Sequence, residues 1–278
     1  VDGTLFGGYR LVELLGRGVI SEVWRAFDTV TSQTVALKVL SGPGTDDRIF
    51  QQRFRREARV MARLTADLND PHVVSVYNID EIEGRLCVAM QFIDGRDLES
   101  MIEDGPLEPA RSVAIIEQVA AALDAVHRLG MLHRRVKPSN ILIADDDFAY
   151  TSDLYTAETA LSDEALMRSG AMSSSKWARA APEEFTAFGA FDRRSDVYGL
   201  ACALYQCLTG QTPFPARDLE QLIVAKVSTP PPRPSACPGV PTAFDDVIAK
   251  GMAKDPDARY AGTLDLARAA RDAITTPA

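Results

Sequence analysis

The first ninety residues run in short apolar–polar alternations. Residues 9–15, 22–27 and 34–40 carry β-branched and aromatic side chains in a strand pattern. They are broken by Gly16, Gly18 and a polar turn at 29–33. Residues 50–64 place Phe50, Phe54, Ala58, Met61 and Leu64 on one stripe at helical spacing. Residues 73–79 and 85–92 return to strand character, joined by a turn at Glu83-Gly84. Beyond a short connector at 92–95 the period lengthens. Residues 108–129 predict a long amphipathic helix, with Pro109 as its start signal and Gly130 as its stop. Residues 195–210 are strongly apolar and predict a buried central helix. Helices are also predicted at 219–227, 243–253 and 263–274, and a Pro-rich loop at 229–234. A strand-rich segment, 1–93, followed by a mainly helical one, 94–278, is an α+β pattern.

Composition narrows the class. The 278 residues are 46 % apolar and 25 % charged, ordinary for a soluble globular protein. No apolar run approaches the roughly 18–20 residues of a membrane span, and no signal peptide opens the chain. The opening on Val1 and the ending Thr275-Thr276-Pro277-Ala278 give the expectation of a domain excised from a longer protein. A net charge of −9 argues against nucleic acid as the main partner. The densest basic run, Arg53, Arg55, Arg56, Arg59 and Arg63, reads as the solvated face of one helix. The four cysteines show no C-x-x-C spacing and there are three histidines, which argues against a zinc site. Cys202 and Cys207 are expected as buried thiols in a reducing cytoplasm.

The stretch His133-Arg134-Arg135-Val136-Lys137-Pro138-Ser139-Asn140 resembles the catalytic loop of a protein kinase, His-Arg-Asp-x-Lys-Pro-x-Asn. Other motifs follow in the family's order. Gly16-Arg17-Gly18 with Val23 resembles the glycine-rich loop, Ser21 standing for its third glycine. Val35-Ala36-Leu37-Lys38 resembles the strand whose lysine contacts the nucleotide phosphates, and Glu57 is its glutamate partner by position. Asp153-Leu154-Tyr155 stands in the place of Asp-Phe-Gly, and Ala181-Pro182-Glu183 resembles Ala-Pro-Glu. The chain is thus similar to bacterial, actinobacterial-looking Ser/Thr protein kinases over nearly its whole length. The resemblance implies a two-lobed protein-kinase-like fold. It implies a nucleotide pocket formed by Gly16, Gly18, Val23, Ala36, Lys38, Glu57, Met90 and Leu142 if binding is retained, with Asn140 and Asp153 as magnesium ligands. It implies structural roles for Asp196, which holds the catalytic loop, and for Glu183 paired with Arg259.

Three departures surround the expected site. Arg135 stands where the family has the aspartate that accepts the substrate proton, and arginine accepts none at physiological pH. Tyr155 replaces the hinge glycine and threatens the orientation of Asp153. Lys176 aligns with a threonine that bonds the catalytic aspartate and lysine. The expectation is a pseudokinase acting as a regulatory scaffold, with no required cofactor and with ATP and magnesium binding open. The alternatives are a weak, atypical ATP-dependent Ser/Thr kinase using another carboxylate as base, Asp153 being the candidate, and an ATP-binding sensor without transfer activity.

The expected partners of such a scaffold are an active Ser/Thr kinase and a forkhead-associated-domain protein that reads phosphothreonine. Thr263 is the first candidate phosphosite, against an N-cap role; Thr229, Thr275 and Thr276 are the others. The chain also resembles the cytoplasmic pseudokinase domain of mycobacterial MviN-type, lipid II flippase-like membrane proteins. That likeness implies a domain tethered at the cytoplasmic side of the plasma membrane in control of peptidoglycan synthesis.

Overall fold

A computed structural model describes residues 3–18, 20–41, 45, 47–154, 180–186 and 192–275. Described residues up to 94 form one compact unit, and those from 95 onward a second.

The first unit is a six-stranded antiparallel sheet with one helix. Its strands are β1 (Leu5–Phe6), β2 (Tyr9–Arg17), β3 (Ser21–Asp28), β4 (Gln33–Leu40), β5 (Val76–Ile82) and β6 (Arg85–Gln91), in spatial order β1-β2-β3-β4-β6-β5. Alternation fixes the two faces. Tyr9, Leu11, Ala26, Val35, Leu37, Cys87 and Ala89 bury one face with Phe6 of β1. Leu40, Leu86 and Val88 bury the other against Phe50, Phe54 and Ala58 of α1 (Arg48–Leu68). The α1 side chains of Met61 and Leu64, also placed on the helical stripe, lie outside the described residues. Asp47 caps α1, its side chain accepting from the N–H groups of Ile49 and Phe50. The β5–β6 hairpin turns through Glu83 and Gly84 at φ 52° and 75°, the left-handed pair of a tight two-residue turn. The strand expected at 73–79 begins three residues later, at Val76. Val73 and Val74 are buried, but Val73 forms only an isolated bridge and Val74 is irregular, and an apolar run does not separate buried loop from buried strand.

The second unit packs helices around α5 (Arg193–Thr209), in which every residue from Asp196 to Thr209 is buried. Asp192 caps its start and Gly210, at φ 70°, closes its end. Around it lie α3 (Pro109–Arg128), α7 (Ala243–Gly251) and α8 (Thr263–Thr275), which share one apolar core with it. The unit also holds α2 (Leu98–Glu103), the short α4 (Glu183–Thr186) and α6 (Leu219–Ser228). A small sheet, β7 (Gly95–Asp97), β8 (Ile141–Ala144) and β9 (Ala149–Thr151), flanks the loop at residues 131–140. β1, α2, α4 and β7 to β9 have no counterpart in the sequence expectation, because elements of two to six residues hold too few positions to display a period.

Candidate functional site

The site residues of the first unit lie on four strands, β2, β3, β4 and β6, and on α1. Gly16 stands in register with Val23, and Val23 with Lys38. Ala36, buried, stands in register with Met90. The Gly18 N–H donates to the Ser21 carbonyl at 2.7 Å, closing the turn between β2 and β3. Glu57 falls on α1, but its side chain lies outside the described residues, as do Tyr155 and Lys176.

In the second unit the loop at 131–140 is held by Asp196 in the first turn of α5. This carboxylate is 1 % exposed. It accepts the Arg134 N–H at 2.7 Å and the His133 N–H at 2.9 Å, and His127 Nε2 lies 2.7 Å from it. Arg134 sits at φ 64°, a left-handed conformation that costs a non-glycine residue about 1–2 kcal/mol. Charge-assisted bonds to Asp196 offset that strain. His133 is buried, its Nε2 3.1 Å from the Ser152 carbonyl and its Nδ1 3.2 Å from the Arg135 N–H. A nitrogen facing a carbonyl donates and one facing an N–H accepts, so this histidine is neutral with its proton on Nε2. Burial holds its pKa below the usual 6.5.

Residue 135 is therefore anchored through its main chain. Its N–H meets His133, and its carbonyl accepts from Asn140 Nδ2 at 2.9 Å. Asn140 is itself buried, and its carbonyl accepts from the Ser152 N–H at 2.8 Å and Oγ at 3.0 Å. Val136, 3 % exposed, plugs into the core. Gly199 of α5 makes room for it, since a Cβ there would meet the Val136 Cβ and carbonyl oxygen at 3.0 Å. Arg135 and Lys137 flank this plug as half-buried residues, and Arg134 is exposed. Asp153, two residues after β9, is at φ 57°. Leu142, on β8, is half-buried.

A buried ionic cluster lies in the same unit. Arg259 donates to both Glu183 oxygens, at 2.8 and 2.7 Å, and to the carbonyls of Ala253 and Arg194. Burial would raise the Glu183 carboxyl, but the bonds and charge of Arg259, with Ser195, overcome it and hold the pKa below 4.5. Its neighbour Glu184 behaves oppositely. Burial pushes it up to about 7, against the pull of the Ala181 N–H and the Lys226 and Arg135 charges. Lys226, fully buried, donates from Nζ to the Ala180 carbonyl at 2.8 Å. Lys226 and Arg259 each lie 5.0 Å from the centre of the Tyr198 ring. Sequence reasoning missed both Glu184 and Lys226. Nothing in a Glu-Glu doublet says that one carboxyl pairs while the other is buried. Lys226 did leave a trace, falling four residues after Leu222 on the buried side of α6.

Thr263 corrects the sequence expectation. It is 0 % exposed, and its Oγ1 donates to the Ala120 carbonyl of α3 at 2.9 Å. The hydroxyl fastens α8 to α3 and is closed off from solvent. Thr229 and Thr275 are exposed, and Thr276 lies outside the described residues.

A clamped loop of this sequence beside a helical core, with a glycine-turn sheet in the other unit, defines the protein-kinase class. The model of the protein kinase domain matches residues 9–271, and the chain belongs to that family, among bacterial Ser/Thr kinases. It is 45 % identical over 277 residues to the serine/threonine-protein kinase PknH of Mycobacterium bovis, covering 99 % of this chain and 45 % of that protein. It is 47 % identical to PknD of Mycobacterium tuberculosis, covering 99 % and 41 %. The chain thus spans less than half the length of these curated relatives. The crystal structure of the M. tuberculosis PknI kinase domain superposes with a TM-score of 0.73 at 30 % identity, covering 98 % of this chain and 98 % of that one.

Proposed function

We propose that this domain is a pseudokinase, a kinase fold that binds partners and transfers little or no phosphate. Arg135 carries the reading. The main chain at 135 is anchored as a loop that presents a catalytic group requires, yet the side chain presented has donors and no acceptor. A positioned base is worth roughly 10²–10⁴ in rate, and a guanidinium cannot serve as one. Lys176 and Tyr155 add to the same reading from the sequence. If nucleotide is bound, Gly16, Gly18, Lys38 and Glu57 of the first unit would face its phosphates, and Val23, Ala36 and Met90 its base. Asn140 and Asp153 would take magnesium, whose preference for oxygen ligands their amide and carboxylate fit. The metal would neutralise phosphate charge.

The proposed role is a regulatory scaffold phosphorylated by an active Ser/Thr kinase and bound by a forkhead-associated partner. Its place would be the control of peptidoglycan synthesis, tethered to an MviN-type protein at the cytoplasmic face of the plasma membrane. No helix among the described residues is long and apolar enough to cross a membrane, so the tether would lie elsewhere. Thr229 is the best-supported phosphosite: exposed, in extended conformation, at the head of the Pro-rich loop.

One observation favours the weak-kinase alternative. Glu184, whose pKa is about 7, feels the charge of Arg135 and is a better-tuned base than an ordinary carboxylate. The relatives PknH and PknD are also named as kinases. Radiolabelled transfer from Mg-ATP to generic substrates decides between the two. No transfer supports the pseudokinase, whereas transfer abolished by Glu184→Gln overturns it. A sensor that binds ATP without transfer would melt higher with Mg-ATP, gaining about 2.7 kcal/mol at 100 times the dissociation constant.

A further inference from the structure

We propose that the side-chain amine of Lys254 is a carbon dioxide site, at which the nitrogen takes up CO2 as a reversible carbamate. Lys254 lies just beyond α7, in the second unit and apart from the kinase-type loop. Its Nζ donates to the Lys226 carbonyl, in the last turn of α6, at 2.5 Å. It also lies 4.4 Å from the centre of the Phe214 ring. Among the described residues that carbonyl is its hydrogen-bond partner, and no carboxylate forms an ion pair with it. The amine is half-buried, so one side reaches solvent.

The surroundings are cationic. Lys226 of α6 and Arg259, both buried, flank the Tyr198 ring of α5, and their charges reach Lys254. Glu183 is taken up by two bonds from Arg259, and burial keeps Glu184 partly protonated near neutrality. Cys202 of α5 is the other titratable group that acts on the amine. Burial first, then the charges of Lys226 and Arg259, push the amine from 10.5 down to about 8, against Cys202. A lysine desolvated beside other cations is a nucleophile near neutrality. The charges that disfavour an ammonium favour an anion in its place. In the step, the nitrogen lone pair forms an N–C bond to the carbon of CO2. One C=O π pair moves onto oxygen, and the nitrogen releases a proton to water. The amine and CO2 thus give a carbamate anion and H⁺, with nothing oxidised or reduced. The carbamate nitrogen keeps one N–H, which is what the Lys226 carbonyl accepts. CO2 is small and uncharged and needs no opening of the core. Lys226 also holds the Ala180 carbonyl through its Nζ, so the change from cation to anion falls beside the segment that leads into α4.

The test equilibrates the 278-residue chain with isotopically labelled bicarbonate at about pH 8, where the Lys254 amine is half neutral. Triethyloxonium then traps any carbamate as its ethyl ester, and peptide mass spectrometry locates the label. Lys250, exposed on α7, is the comparison lysine in the same chain. Lys254 is expected to carry at least about tenfold more label than Lys250, since neutral amine changes about tenfold per unit of pKa. Purging CO2 before trapping is expected to remove the label. Lys254→Arg is expected to abolish it while leaving the thermal melt in place. Should Lys254→Arg fail to fold, the comparison of Lys254 with Lys250 in the unaltered chain decides. Label absent from Lys254, or equal on the two lysines, overturns the proposal. Label that survives purging overturns it as well, since the adduct would then not be a reversible carbamate.

Discussion

The loop at residues 133–140 has two sides built on different terms. The inner side is held by polar pairs: Asp196 with two main-chain N–H groups, His133 with Ser152 and Arg135, and Asn140 Nδ2 with the Arg135 carbonyl. On the outer side stand Arg135 and Lys137, where the chemistry of the family is decided. A fold depends on the inner side, because a buried polar group without its partner costs more than its bond is worth when made. Arg135 and Lys137 are half-buried rather than buried, so a change of side chain there leaves the main-chain clamp of the loop in place. The neighbours Glu183 and Glu184 repeat the contrast: one carboxyl is held low by Arg259 and the other is raised by burial.

The comparison is broken most forcefully through the ion pair. Arg259→Ala leaves a buried carboxylate uncompensated and should cost about 3–5 kcal/mol in urea unfolding. Next comes Glu184. Its folded pKa of about 7 lies above its ordinary 4.5, so the folded state keeps a proton that the unfolded chain has released. Stability should therefore fall as pH rises from 4.5 to 7, by about 3 kcal/mol at 1.4 kcal/mol per unit. Glu184→Gln should flatten that fall in melts run at pH 5 and pH 8, and an unchanged slope would refute the assignment. Glu183 should act in the opposite sense, its contribution present above pH 4.5 and lost as acid protonates it.

Asp196→Asn replaces a charged acceptor of two N–H groups by an amide. It should cost about 2 kcal/mol and speed hydrogen exchange at the Arg134 amide. Thr263→Val should cost about 1 kcal/mol by deleting the bond to Ala120. Failure of any kinase to phosphorylate Thr263 in the folded protein would accord with its burial. The smallest effect is expected at the outer side: Arg135→Gln should shift stability by less than about 0.5 kcal/mol. A loss there as large as that of Arg259→Ala would erase the distinction between the two sides. Arg135→Asp should not restore transfer by itself, and robust radiolabel incorporation by that variant would overturn the pseudokinase proposal.

The sequence by itself determined the class of fold and the order of its long elements, because period and turn chemistry are local. The strands around Lys38, the helix carrying Glu57 and the buried helix after Asp196 were legible in this way. The motif order assigned His133, Arg135 and Asn140 to one loop because they lie within eight residues of one another. Tertiary structure alone decided the rest, since it turns on atoms far apart in the chain. Thr263 meets Ala120 across 143 positions, which turned an apparent phosphosite into a buried fastening. Arg259 meets Glu183 across 76, and Lys226 meets Ala180 across 46. Glu183 and Glu184 are identical residues side by side, and they titrate in opposite directions because solvent and partners reach them differently. Burial and pairing belong to the packed chain, and no local pattern encodes them.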